Sequence, residues 1–174
     1  MFTFVTGGLR SGKSGYALSR ASELGPPPWV YVAPSVEGDD ELKGRLANHR
    51  RDHEASWKLL EAPAELPTIV DAIKGGGYGA MVIDRFTAWV QARIAGSDRA
   101  AERALLAEVE ELADRLYRSP TPAVLVTMEI GLGHLSEGDP ARRFISAVGQ
   151  ANQILVERAQ SVVLMVSGVP LRMR

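Results

Sequence analysis

The sequence predicts an α/β fold: an open, mostly parallel sheet with helices packed on both faces. Three observations carry that expectation. Apolar, β-branched runs alternate with helix-patterned segments almost to the end of the chain, the arrangement that joins parallel strands through crossover helices. The first such run leads directly into a glycine-rich loop and a helix, the context in which a phosphate loop works. The bulk numbers, 174 residues with 45% hydrophobic and 24% charged, suit one globular domain spanning residues 1–174 with a genuine core.

Phe2-Thr3-Phe4-Val5-Thr6 reads as the first strand. Gly7-Gly8-Leu9-Arg10-Ser11-Gly12-Lys13-Ser14 then fills every fixed position of G-x-x-x-x-G-K-[ST]. Tyr16 to Ala21 reads as the helix this loop opens. Glycines let the backbone close around phosphate oxygens, and the helix N-terminus adds free N–H groups and a positive dipole end. Lys13 is placed to neutralise β/γ-phosphate charge, and the Ser14 hydroxyl to ligate Mg²⁺. The fold class therefore narrows to the P-loop NTPase type with a RecA-like sheet, and the chain is expected to bind a nucleoside triphosphate.

Gly25-Pro26-Pro27-Pro28 breaks the first helix, and Trp29-Val30-Tyr31-Val32-Ala33 reads as a second strand. Asp39 to about Ser56 reads as a polar helix, its first-turn acids suited to the dipole. Trp57 to Glu61 reads as a short strand, and Leu66 to Lys74 as a helix stopped by Gly75-Gly76-Gly77. Ala80-Met81-Val82-Ile83-Asp84 is a buried-type strand ending in a carboxylate. Ala100 to Tyr117 is the clearest amphipathic helix, with Leu105, Val109, Leu112 and Leu116 on one stripe and Glu111–Arg115 as an i,i+4 pair. Pro120 and Pro122 close it before the strand Ala123–Thr127. Arg142 to Gln160 reads as a helix and Ser161 to Val166 as the last long strand. The Gly-rich stretch from Gly131 to Pro140 is long enough for a lid or substrate loop.

Composition excludes several classes. A net charge of −1 supplies no basic field for a nucleic acid backbone or an anionic membrane. The absence of cysteine excludes disulfides, thiolate-bound zinc and thiol catalysis. No apolar run approaches the roughly 20 residues that span a bilayer. The N-terminus enters the first strand at once, leaving no room for a signal peptide, so a cytoplasmic location is expected.

Ligands of open α/β sheets sit beyond the carboxyl ends of the strands, which puts Thr6, Ala33, Asp84 and Thr127 near one rim. Asp84 is either a second Mg²⁺- or nucleotide-organising carboxylate or the N-cap of a helix starting at Phe86-Thr87. His49 and His53 lie four apart beside Arg50, Arg51 and Asp52. They read as surface residues, as a metal pair, or as a nucleophile attacking an α-phosphorus next to charge-neutralising arginines; composition does not choose. Glu61 and Glu129 border strands, where a carboxylate either accepts guanine N1–H and N2–H together or serves as a helix cap or ion-pair partner.

The ordered set of motifs resembles the bifunctional adenosylcobinamide kinase/adenosylcobinamide-phosphate guanylyltransferase family. The resemblance rests on the loop from Thr6 to Ser14, Tyr31-Val32-Ala33, Asp39-Asp40-Glu41-Leu42 with Arg45-Leu46 and His49-Arg50, and Trp57 with Glu61. It continues through Val82-Ile83-Asp84, Glu129 to Gly133, Arg142-Arg143-Phe144, Gly149, Asn152-Gln153 and Val166-Ser167-Gly168. It implies phosphorylation of the aminopropanol hydroxyl of adenosylcobinamide from ATP or GTP. It also implies transfer of GMP from GTP to adenosylcobinamide phosphate through a guanylyl-histidine, His49 here. Arg50, Arg51, Asp52, His53, Glu61, Asp84 and the turn Ala33-Pro34-Ser35 would contact nucleotide, and a homotrimer is implied. The chain departs from the family pattern at Met128, at Pro34 and over His134–Asp139. Without the resemblance, the residues also fit a single-function P-loop small-molecule kinase or a nucleotide-dependent regulatory module.

Overall fold

Runs such as Ala80–Ile83 and Ala123–Val126 offer no polar face to solvent, so each strand must be covered on both sides. The computed structural model describes residues 1–34, 44, 57–62, 65–94, 99–131 and 139–174. Its strands are β1 (Phe2–Gly7), β2 (Trp29–Ala33), β3 (Trp57–Glu61), β4 (Ala80–Ile83), β5 (Ala123–Val126), β6 (Ser161–Val166) and β7 (Val169–Arg172). Its helices are α1 (Lys13–Leu24), α2 (Pro67–Ile73), α3 (Phe86–Ile94), α4 (Arg99–Arg118) and α5 (Asp139–Arg158). The helix expected over Asp39–Ser56 lies outside the described residues apart from Gly44. Of the expected loop, 132–138 lies outside them.

The strands form one sheet in the order β3-β2-β4-β5-β1-β6-β7. Six run parallel and β7 pairs antiparallel with β6. The period-two alternation of each strand divides the core into two layers. Phe2, Phe4, Val30, Val32, Met81, Ile83 and Leu125 point to a layer shared with α2, α3, α4 and α5. Val5, Tyr31, Val82, Val124, Val126 and Val163 point the other way, against Ala17, Leu18 and Ala21 of α1. The stripe Leu105, Val109, Leu112 and Leu116 is fully buried, as its spacing required, and Glu111 pairs with Arg115.

Strand β7 escaped the sequence reading, and helix α3 entered it only as a start at Phe86-Thr87 without an extent. Helix α3 carries Phe86, Trp89, Val90 and Ile94, all buried, at the i, i+3, i+4, i+8 spacing that marks a helix face. Strand β7 follows a two-residue turn, Ser167-Gly168, in which both φ angles are positive (49° and 85°), the type I′ geometry of a tight hairpin. Pro170 is tolerated there because β7 is an edge strand. Among the described residues, no helix is long and apolar enough to cross a membrane.

Candidate functional site

The chain leaves β1 at Gly7 and turns sharply into α1, and the turn is possible only because of which residues stand at its two ends. Gly7 has φ 151°, and a Cβ there would lie 2.4 Å from the Met165 carbonyl oxygen on β6. Gly12 caps α1 with φ 91°, and a Cβ there would come within 3.3 Å of Gly168 Cα. The Gly168 N–H donates to the Ser11 carbonyl at 3.0 Å, so the β6–β7 turn supports the loop from behind. Within the loop, Ser11 N–H donates to Gly8 O at 3.3 Å, and Tyr16 N–H starts α1 by donating to Gly12 O at 3.0 Å. Lys13 Nζ folds back to donate to Gly8 O at 2.6 Å and reaches Ser11 Oγ at 3.4 Å. An ammonium holding its own loop's carbonyl is an ammonium available to a phosphate that competes for it. Burial lowers its pKa from the ordinary lysine value, and the charge of Asp84 pulls it part of the way back.

Asp84 follows β4, which is separated from β1 by β5 alone, so the carboxylate stands roughly 10 Å along the rim from the loop. It is 3% exposed. Tyr31, fully buried on β2, donates its hydroxyl to Asp84 Oδ2, and the Arg85 N–H donates to Oδ1 at 2.7 Å. Residues 9–15, Asp84, Thr87, Met128 and Phe144 line a single cavity of about 820 Å³. Its floor at the end of β5 is held by a closed hydrogen-bond circuit. Met128 N–H donates to Thr87 Oγ1 at 2.9 Å, the Thr87 and Thr127 hydroxyls meet at 3.0 Å, and Thr127 Oγ1 donates to Asn152 Oδ1 at 3.0 Å. Asn152 Nδ2 returns to Met128 O at 3.2 Å, so Thr87 must be the donor between the two hydroxyls.

The structure thus brings Leu9, Arg10, Ser11, Gly12, Lys13, Ser14 and Asp84 onto one cavity, with Gly7 and Gly8 forming the loop behind it. It leaves others apart. Ala33 and Glu61 are register partners on β2 and β3, and Glu61 is exposed on the far edge, four strand spacings or roughly 19 Å from β1. Neither these two nor Pro34, which follows β2, lines the cavity. Glu129 is half-buried, its N–H donating to Gly7 O at 3.1 Å. Ser35, His49, Arg50, Arg51, Asp52 and His53 lie outside the described residues. Sequence reasoning assigned no role to Tyr31 or Thr87, since nothing local marks a side chain whose partner lies far along the chain, nor to Gln91, which joins the cavity wall from α3.

Among the described residues no three His, Cys, Asp or Glu side chains cluster as a protein-built metal centre would require. Ser14 and Asp84 are hard oxygen donors on one cavity, the sparse donor set that suits Mg²⁺ shared with phosphate oxygens.

Comparison with known proteins bears on the fold and on the family. The ATPase EscN of the enteropathogenic E. coli type III secretion system superposes with a TM-score of 0.63 at 14% identity, over 95% of this chain and 43% of that one. A prototypical type III secretion ATPase from pathogenic bacteria superposes with a TM-score of 0.58 at 15% identity, over 94% of this chain and 50% of that one. The chain spans half or less of the length of these two, and at such identities the likeness is one of fold: the RecA-like sheet of P-loop ATPases. Sequence relatives are nearer. The bifunctional adenosylcobalamin biosynthesis protein CobP of Pseudomonas aeruginosa is 32% identical over 174 residues, covering 100% of this chain and 98% of that protein. The bifunctional adenosylcobalamin biosynthesis protein CobU of Salmonella typhimurium is 32% identical over 184 aligned residues, covering 100% of both. Residues 3–173 match the family described as cobinamide kinase / cobinamide phosphate guanyltransferase, and the chain belongs to that family.

Proposed function

We propose that this chain phosphorylates the aminopropanol hydroxyl of adenosylcobinamide and then transfers GMP from GTP to the phosphate so formed, giving adenosylcobinamide-GDP. The observation that carries this reading is the end-to-end family match on a chain whose phosphate loop and strand-end carboxylate share one cavity. Lys13 and the backbone N–H groups of residues 8–14 hold the triphosphate of ATP or GTP; Ser14 and Asp84 hold Mg²⁺, which when bound neutralises phosphate charge. The loop lysine exchanges its Gly8 carbonyl for a phosphate oxygen, and the acceptor hydroxyl approaches from the side of the cavity walled by Thr87, Met128 and Phe144.

In the second reaction a neutral His49 nitrogen attacks the α-phosphorus of GTP and pyrophosphate leaves with the P–O bonding pair. An oxygen of adenosylcobinamide phosphate then displaces the imidazole, closing the new pyrophosphate linkage. Arg50, Arg51, Asp52 and His53 supply the surrounding nucleotide contacts. Glu61 and the turn Ala33-Pro34-Ser35, at the far end of the rim, suit contacts to nucleotide parts remote from the phosphates held at β1. The family resemblance supports these assignments, and with them a homotrimer in the cytoplasm. The test is incubation with GTP labelled at the α-phosphate, followed by a denaturing gel. Protein-bound label that survives alkali, is lost in acid and is absent from His49→Ala is the expected result. Unlabelled wild type that still phosphorylates adenosylcobinamide would reduce the chain to a kinase.

A further inference from the structure

The hydroxyl of Tyr31 has a purpose that packing does not account for. Tyr31 sits in the middle of β2, in register with Val82 of β4, on the sheet face covered by α1. Asp84 lies two residues beyond Val82, on the same face by the alternation of the strand. The ring fills its layer against Trp57, edge-on with centroids 6.4 Å apart, and phenylalanine would fill that volume equally well. A buried hydroxyl is costly unless it is bonded, and this one is bonded to the cavity carboxylate.

We infer that Tyr31 is a positioning residue, which orients Asp84 toward the metal–phosphate complex from a strand that never reaches the cavity. Tyr31 Oη holds one carboxylate oxygen and the Arg85 N–H the other, at 2.7 Å, so the carboxylate plane is fixed at both ends. A carboxylate accepts about four hydrogen bonds or metal contacts. Two of these are taken by Tyr31 and Arg85, and Asp84 lines the cavity together with Lys13 and Ser14. Loss of the phenol would leave Asp84 buried and held at Oδ1 alone by the Arg85 N–H, and a carboxylate held at one end is a less well oriented metal ligand. The inference rests on the reading of Asp84 as the Mg²⁺-organising carboxylate, and the experiment separates the two.

Mn²⁺ binding to the full chain, followed by electron paramagnetic resonance in the presence of a non-hydrolysable GTP analogue, is compared among wild type, Tyr31→Phe and Asp84→Asn. Tyr31→Phe is expected to weaken Mn²⁺ binding on the order of tenfold and to raise the half-saturating Mg²⁺ for phosphoryl transfer by the same factor. Nucleotide affinity without metal should stay at the wild-type value. If Asp84→Asn weakens Mn²⁺ binding and Tyr31→Phe does not, the positioning role is refuted while the metal reading stands. If Asp84→Asn leaves Mn²⁺ binding unaltered, the metal reading fails and takes the inference with it. A loss of metal-free nucleotide binding in Tyr31→Phe would mark the phenol as part of the sheet's architecture and also refute the role.

Discussion

Two strand ends build this cavity by opposite means. At the end of β1 the chemistry is made from backbone: consecutive residues 7–14 curl into a nest, and side-chain identity matters mainly where glycine is required or where Lys13 and Ser14 stand. At the end of β4 it is made from one side chain, Asp84, whose orientation depends on a residue 53 positions earlier in the chain. The first arrangement is local, and its supports from elsewhere, such as the Gly168 N–H on Ser11, only brace a shape the loop already has. The second has no local shape to brace. The difference teaches that the loop at β1 is sensitive at a few of its own positions, such as Gly7 and Gly12, whereas the carboxylate can be disabled from a distance without touching the cavity wall.

The largest effect expected on the β1 side is that of Lys13→Ala. If the ammonium meets phosphate as proposed, its removal should lower kcat/KM for both half-reactions on the order of a thousandfold, with the unfolding midpoint at or above that of wild type. Steady-state kinetics beside a denaturant titration check both halves of the statement. Near-wild-type activity would overturn the reading of the loop and, with it, the contrast between the two ends.

Next comes Gly7→Ala, which attacks the backbone itself. The added methyl would meet the Met165 carbonyl oxygen at 2.4 Å and Ser11 Oγ at 2.8 Å, in a β1–β6 ladder where Gly7 pairs with Met165. Overpacking against backbone should cost about 3 kcal/mol of stability and weaken triphosphate binding together. Denaturant unfolding and nucleotide titration on the same preparation measure the pair. Tyr31→Phe sharpens the comparison from the other side: there the metal response should change while metal-free nucleotide binding holds.

The smallest expected effect is one of pH. Burial lowers the Lys13 pKa in the folded protein, with Asp84 opposing. Between the folded and the unfolded value the unfolded chain therefore binds more protons, and the stability of the free protein rises with pH across that window. Below the window both states carry the charge, and its buried cost is constant. Because the group is only half-buried, the rise is modest. Unfolding curves for wild type and Lys13→Met, taken as pH rises toward the ordinary lysine value, should differ in slope, with only wild type showing this component. Triphosphate affinity should fall over the same range as the ammonium is lost.

The strands and their parallel arrangement were legible because each is an unbroken apolar run between breakers, and the phosphate loop because its spacing is fixed by backbone geometry. Helix α3 carried a readable period, Phe86, Trp89, Val90, but it is short, and its start at Phe86-Thr87 was legible only through the reading of Asp84 as a cap. Strand β7 was signalled only by Ser167-Gly168. The circuit through Thr87, Thr127 and Asn152 joins two helices to a strand across 65 residues of sequence, and no window along the chain contains it.

By itself, then, the sequence determined the alternating α/β architecture, the anion nest, the lysine within it and the carboxylate at the end of β4, because periodicity, glycine placement and strand termini are properties of neighbouring residues. Only the tertiary structure decided that Tyr31 holds Asp84, that the β6–β7 turn supports Ser11 and Gly12, and that Glu61 stands at the opposite edge. Those relations follow from strand order and register, which the whole sheet settles at once when its two layers close.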